Sequence, residues 1–462
     1  MGGLQPGADL DLRGVTVPAW LLDALLDAMT GPDGRPHLGR TRFDGAVLPS
    51  HAVLHEACVE GDSSFDGACF LGGASFYNAR FFGNVSFRGA RFSGNVSFHA
   101  ARFHRHTSFE EAVFAGDALF GEAVWHADAS FGHAVFIGVA CFDRARFGRD
   151  AVMQAACFGG AVSFKRVLVT RHARFERTRF RHGLWLGPLV AGGRVSLADA
   201  SAHGGLRVHA AARQVTARAA AVRGSAEFRL RHADLDLEGA AFAGTVRVRS
   251  LPQPIQGVPE PTWTDPSRVR LTSLRDVASA GLHLADVDLS GCSFLGVQRP
   301  DLLRITGDCP FPTLPARRRW RPWRRDGRGR AVLADDLAGA DDGDRLRVLY
   351  RELARATADG DHPALSRDLR YSALEVRRHT EPDQWRRWAL HLLWLTSGYG
   401  LRAGRLMAWL AMLVALLCCG AAYLRHADHQ TIAHPRTHDP VPAPGRRPLK
   451  PGTGKIVHPH GT

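Results

Sequence analysis

From Phe65 to Leu186 the chain places a large apolar residue at intervals of five and six residues in strict alternation. The series opens with Phe65, Phe70, Phe76, Phe81, Phe87 and Phe92, and closes with Phe164, Val169, Phe175, Phe180 and Leu186. Five plus six gives a period of 11, held for 11 units. A unit this short cannot bury its own apolar face, so successive units must stack on one another.

The residue two before each large apolar one is small, as at Ala68, Ala79, Ala90 and Ala101, or at Val85, Val96, Thr107 and Ala118. Residues i−2 and i on one side of the chain mark an extended segment. The Gly and polar positions that follow mark a turn. Short strand, corner, short strand, corner describes a β-solenoid. An 11-residue repeat also suits a right-handed coiled coil, but a five-residue step on a helix rotates roughly 140° and leaves any single stripe. Gly67, Gly72, Gly83, Gly89 and Gly94 would each cost roughly 1 kcal/mol inside such a helix.

The segments Ala79-Arg-Phe-Phe-Gly83 and Ala90-Arg-Phe-Ser-Gly94 resemble the pentapeptide-repeat family. The resemblance implies a mainly β fold, a right-handed four-sided β-helix whose central Phe and preceding small residue point inward. Family coils hold four units of five. Here every second unit has six residues, so a coil takes 22, with a wider corner on alternate faces. About 5.5 such coils, stacked at roughly 4.8 Å, make a segment on the order of 26 Å.

Around this regular stretch the chain divides as follows. Residues 1–40 hold one short amphipathic helix after Pro18, suited to cap the open end of a solenoid. The solenoid is expected over 41–309, regular at 65–186 and degenerate at 187–309, with a Pro-rich loop at 251–266. Residues 310–343 are a basic then acidic linker, and 344–380 a helical hairpin with Leu346, Leu349 and Leu353 on one face. The Trp-bearing stretch 385–405 suits a membrane interface. Leu406–Leu424 is 19 residues without a charge, long enough to span a bilayer core of about 30 Å. The tail, 425–462, has the composition of a disordered segment.

Further residues extend the resemblance. Asp288-Leu-Ser-Gly-Cys-Ser-Phe294, Tyr350-Arg-Glu-Leu353 and Ser397-Gly-Tyr-Gly-Leu-Arg402 are similar to segments of membrane-linked pentapeptide-repeat proteins of bacteria. There a Tyr-rich helix ending in Arg-Arg precedes the Ser-Gly-Tyr-Gly segment. The matching stretch, Tyr371 to Arg378, keeps Glu375 and the Arg pair but not the aromatic run. Some of those relatives continue into a second membrane helix like a small channel module; this sequence has one span. Arg377, Arg378, Arg386, Arg387, Arg402 and Arg405 flank the span on its N-terminal side, which favours a cytoplasmic solenoid. The first ten residues carry no leader-like apolar stretch. The expected location is therefore the bacterial inner membrane, single-pass.

Charge narrows the function. Residues 65–186 carry 15 Lys/Arg against nine Asp/Glu. Some members of the family inhibit DNA gyrase by copying DNA with an acidic surface, and a basic rod cannot copy a phosphate backbone. Arg80, Arg102 and Arg146 lie 22 and 44 residues apart, so they share one outer face, and Arg91 and Arg179 share the opposite one. Like charges in register cost stability unless screened or paired. Glu110, Asp117 and Asp143 are the carboxylates expected to screen them. A second candidate is the run Arg317, Arg318, Arg319, Trp320, Arg321, Trp323, Arg324 and Arg325. Clustered Arg with Trp can hold anionic lipid headgroups; the plain alternative is a solvated linker.

The eight Cys form no CxxC pair, and no triad, phosphate loop, cofactor or metal motif is present. The sequence therefore points to a non-enzymatic scaffold on a membrane, with an unknown protein partner and an unknown oligomeric state. A regulatory or degenerate member of a channel-like transport family is the alternative. Anionic lipid is a further candidate partner, and nucleic acid is disfavoured.

Overall fold

A computed structural model describes residues 5–49, 51–263, 268–314, 330–339, 343–358, 363–400 and 403–431. The chain winds into a β-solenoid of about 12 turns, and its longest column of equivalent strands holds 13. Each turn of the regular region has four two-residue strands, for example Thr41–Arg42, Val47–Leu48, Ala52–Val53 and Cys58–Val59. Each pairs in parallel with its equivalent one turn later, as in Thr41 with Ser63, Ser63 with Val85, and Arg80 with Arg102. Every one of these steps is 22 residues, the period expected from the Phe series.

The rings form the core. Phe87 and Phe109 stack at 4.9 Å between centroids and Phe98 and Phe120 at 5.1 Å, both nearly parallel. Across the interior Phe87 meets Phe98 edge to face at 5.3 Å and 78°. Stacked and edge-to-face pairs are the two favoured aromatic geometries, and the coil spacing supplies the first while the corners supply the second. Trp125 replaces one Phe in this lattice, between Phe103 and Phe147. Its buried Nε1 finds no hydrogen-bond partner.

Two kinds of corner alternate. The five-residue units turn tightly through a residue with positive φ, at Asn78, Ala100, Glu111, Glu122, His133 and Arg144, with φ between 53° and 60°. The amide three residues after each Phe that opens such a turn closes it, as in Ala101 N–H to Phe98 O at 3.1 Å. The six-residue units bend more gently, and their polar side chains bind the next coil. Asp62 accepts the Asn84 amide at 2.7 Å, Asp117 the Val139 amide at 2.9 Å, and His172 Nδ1 the Arg194 amide at 3.1 Å.

The solenoid begins earlier than residue 41. Leu10–Asp11 already pairs in parallel with Thr41–Arg42, and helix α1, Ala19–Ala28, is inserted between them. Leu22, Leu25 and Leu26 of α1 are buried, so the helix covers the end of the core as a cap.

After Leu186 the fold changes rather than decays. Two neighbouring faces fuse: Ser163 pairs with Trp185 and Val167 with Leu189, both in the single strand Leu184–Ala191. From there one long strand replaces two short ones, at Leu206–Ala211, Ala226–Arg231 and Thr245–Ser250. The step falls to 20 residues, as in Val195 with Val215 and Val215 with Leu235. The stretch expected to be degenerate is thus regular with a shorter period and three faces.

The Pro-rich segment leaves the coil after Ser250 and returns at Val269–Ser273. Ile255 and Val258 bury against Val190 and Ala211 at one margin of the fused face. A nearly buried Arg231–Glu260 pair at 2.9 Å holds it, and Arg231 also donates to the Pro252 carbonyl at 2.7 Å.

The far end is capped too. Some of the expected linker is ordered: Thr313–Leu314 pairs antiparallel with Arg330–Ala331. Helix α2, Ala334–Leu337, follows. Its buried Asp335 accepts the Phe294 amide at 2.8 Å and the Ser293 hydroxyl at 2.6 Å on the last coil. Helices α3, Gly343–Ala356, and α4, Pro363–Thr380, form the expected hairpin. The Tyr350 hydroxyl donates to Asp336 at 2.8 Å while accepting the Leu333 amide at 2.9 Å, and burial pushes its pKa up. Glu375 pairs with Arg330 and Arg378, and Arg378 lies 4.7 Å from the Trp394 ring on helix α5, Gln384–Ser397. The residues that carry the similarity to membrane-linked relatives thus hold α4 to its neighbours.

The chain divides into two compact units, 1–394 and 395–462. In the second, helix α6, Ala403–Thr431, contains the apolar stretch Met407–Arg425, none of it buried. The helix runs past residue 425, where a disordered tail was expected to begin; residues 432–462 lie outside the described residues.

Replacing a ring in the stack leaves a void that the coil spacing cannot close. Phe103→Ala should destabilise the solenoid by about 3–5 kcal/mol, measured as a shift of the denaturation midpoint. Trp125→Phe keeps the stack and removes the unpaired N–H, so its shift should be smaller than that of Phe103→Ala.

Candidate functional site

An outward side chain on a solenoid has its equivalent one coil on, so every surface position belongs to a column. Arg80, Arg102 and Arg146 occupy one column, through the pairings Arg80 with Arg102, Arg102 with Val124, and Val124 with Arg146. Arg91 and Arg179 lie in the column of the opposite face, which runs through Val113, Val135 and Cys157. None of these five makes an ion pair among the described residues. The Nε of Arg80 is buried without a hydrogen-bond partner.

The carboxylates expected to screen this ladder are engaged elsewhere. Glu110 accepts from the Ser130 hydroxyl at 2.8 Å, Asp117 from the Val139 amide, and Asp143 from the Lys165 amide at 3.0 Å. They stitch coil to coil and leave the Arg column to solvent.

Beside the column runs a second one of rings. Phe82 stacks on His104 at 4.7 Å, and His104 on His126 at 4.7 Å. With Arg105 and Arg149 they line an open recess of about 500 Å³. Burial, then the neighbouring His126, Arg102 and Arg80, hold the His104 pKa below its usual value.

The fused face carries the denser charge. One row reads Trp185, Arg207, Glu227, Arg247, His283 and Arg304 in register. A parallel row two residues along reads His209, Arg229 and Arg249. Glu227 pairs with Arg229 at 2.7 Å and reaches Arg207 at 3.9 Å. Arg247, Arg249 and Arg304 are exposed and make no ion pair among the described residues. Trp185 is half-exposed, with Lys165 Nζ 5.7 Å and the Arg207 guanidinium 6.0 Å from its ring. His209 and His283 have lowered pKa values, through burial first and then the adjacent guanidinium groups.

Sequence reasoning found the Arg80 column because the Phe period fixed its register. It missed the fused face, although the alternation was visible: Val246 and Val248 point inward, so Arg247 and Arg249 must point outward. The run Arg317 to Arg325 lies outside the described residues. Among the described residues no group of His, Cys, Asp or Glu gathers as a metal site would require.

Two outcomes test this geometry. Glu260→Ala leaves Arg231 buried without its carboxylate, which costs about 3–5 kcal/mol for such a pair. Limited proteolysis should then cut within 251–263 while the coils stay intact. For His104 the folded state binds its proton less readily than the unfolded chain, whose value is about 6.5. Stability should therefore fall as pH drops through that value, and His104→Gln should flatten the dependence in thermal melts between neutral and mildly acidic pH.

Comparison with known proteins gives one match. The family model for pentapeptide repeats fits residues 54–102 in nine copies, within the regular coils that carry Arg80 and Arg102. No curated protein and no solved structure matches. In this segment the rings at Phe70, Phe76, Phe81 and Phe87 all point into the core, as the repeat requires. With its repeat matched in sequence and its coil formed as that repeat demands, the chain is a pentapeptide-repeat protein.

Proposed function

We propose that this protein is a non-enzymatic scaffold, anchored in a membrane by α6, that presents the solenoid for contacts with another protein. The observation that carries the proposal is the division of labour across the coil. Inward positions are committed to a ring-packed core, and outward positions repeat in columns whose charges are left unpaired. A surface of this kind, about 12 turns long, offers many equivalent contacts along one direction, which is how solenoids engage partners.

Several features support the anchor. Met407–Arg425 is a 19-residue apolar stretch with nothing covering it. On α5, Trp385, Trp388 and Leu392 are exposed, a pattern suited to the headgroup region. Arg386, Arg387, Arg402 and Arg405 on the N-terminal flank favour a bacterial inner membrane with the solenoid on the cytoplasmic side. One candidate span occurs among the described residues, which favours an anchor over a channel-like module.

A photo-crosslinking residue placed at position 91 or 102, both outward, tests the scaffold role in native membranes. The expected result is a discrete protein adduct from one face and not the other, lost when residues 403–431 are removed. Absence of adducts from both columns would sink the proposal. Carbonate extraction checks the anchor separately: the full chain should stay in the pellet, and a chain ending at residue 397 should be released.

A further inference from the structure

We infer that the fused face of the last turns is a docking surface for the anionic headgroups of a lipid bilayer. Three independent observations converge on it. The first is charge without counter-ions. Lys165, Arg207, Arg229, Arg247, Arg249 and Arg304 stand against the single carboxylate of Glu227. Arg229 and Arg249 are in-register neighbours on adjacent strands, a like-charge contact that costs stability in the free protein. A surface of negative charge removes that cost.

The second is shape. Elsewhere the faces are two residues wide and end in a corner. Here strands such as Ala226–Arg231 and Thr245–Ser250 run for six residues, so the side chains project from one flat sheet. From Trp185 to Arg304 the row crosses six strands, about 24 Å at the usual strand spacing. A plane of that extent suits a plane of headgroups better than a curved duplex. The excursion covers only one margin, at Val190 and Ala211, and leaves the Arg rows open.

The third is Trp185. It is half-exposed at the edge of the patch, held between Lys165 and Arg207. An amphipathic ring with cations on either side is the arrangement that rests at a membrane interface. A shallow cleft of about 350 Å³ beside it, floored by Gly183, Gly205 and Ser225, lets a phosphate approach Arg207 and Arg247 from the side. Arg is suited to that contact because its planar fork meets phosphate with two hydrogen bonds.

The inference draws on the proposal that the chain is membrane-anchored, and the test separates the two. The full chain is mixed with vesicles of phosphatidylcholine alone or of phosphatidylcholine with phosphatidylglycerol. Carbonate extraction reports the anchor in both. Modification of Arg by phenylglyoxal, read residue by residue by mass spectrometry, reports the face. Arg247, Arg249 and Arg304 should react about fivefold more slowly on the anionic vesicles, the factor that corresponds to the usual interaction of one basic residue with such a surface. Arg91 and Arg179 should react equally on both. High salt should abolish the protection. The triple variant Arg247→Gln, Arg249→Gln, Arg304→Gln should leave Arg207 and Arg229 less protected than in the parent chain. Equal reactivity on the two vesicles would overturn the inference. So would the same protection on neutral vesicles from inorganic phosphate, or from duplex DNA, since either would assign the face to a soluble anion.

Discussion

The parallel pairing of each coil with the next, at the strand spacing of about 4.8 Å, is the constraint on which everything else rests. It stacks ring on ring at centroid distances such as 4.9 Å for Phe87 and Phe109. It also puts every outer side chain above its equivalent. Burial of the rings stabilises the fold by roughly 1.5–3 kcal/mol per side chain. Their stacking accounts for the uniform size of the residue at these positions: a smaller one opens a gap, and a larger one must lie flat, as Trp125 does.

The same pairing has a cost that the corners relieve. A square turn leaves backbone amides at each bend without a strand partner. Asp62, Asp117 and His172 accept amides one coil on, so polar side chains at the corners belong to the backbone and not to the surface charge. This explains why a rod with nine carboxylates between residues 65 and 186 still leaves Arg80, Arg102 and Arg146 unpaired. Counting charges gives the net sign; only the hydrogen bonds show which charges are free.

The regular coils and their columns were legible because Phe recurs at inward positions and nothing else in the sequence imitates a period of 11. The fused face was not, for a physical reason. Once two faces merge, inward positions fall every second residue along one strand, and the small residues Ala210 and Ala226 take the place of rings. The pattern then looks like weakened repetition, although the coil is as regular as before. The C-terminal cap was hidden too, because its key contacts join distant residues: Asp335 to Phe294, and Glu375 to Arg330. The excursion was visible as a Pro-rich stretch, but its attachment through Arg231 and Glu260 depends on a buried pairing that no local motif announces.

The change of step from 22 to 20 residues, made at the fused strand Leu184–Ala191, gives the protein two interchangeable spacers. Excising one whole coil upstream of that strand, or one downstream of it, rejoins faces in phase and shortens the rod by about 4.8 Å. An excision of any other length turns inward residues out. Length can thus be adjusted in discrete increments, upstream without altering the fused face and downstream without altering the Arg80 column. Reach and surface chemistry are separately variable in one continuous core.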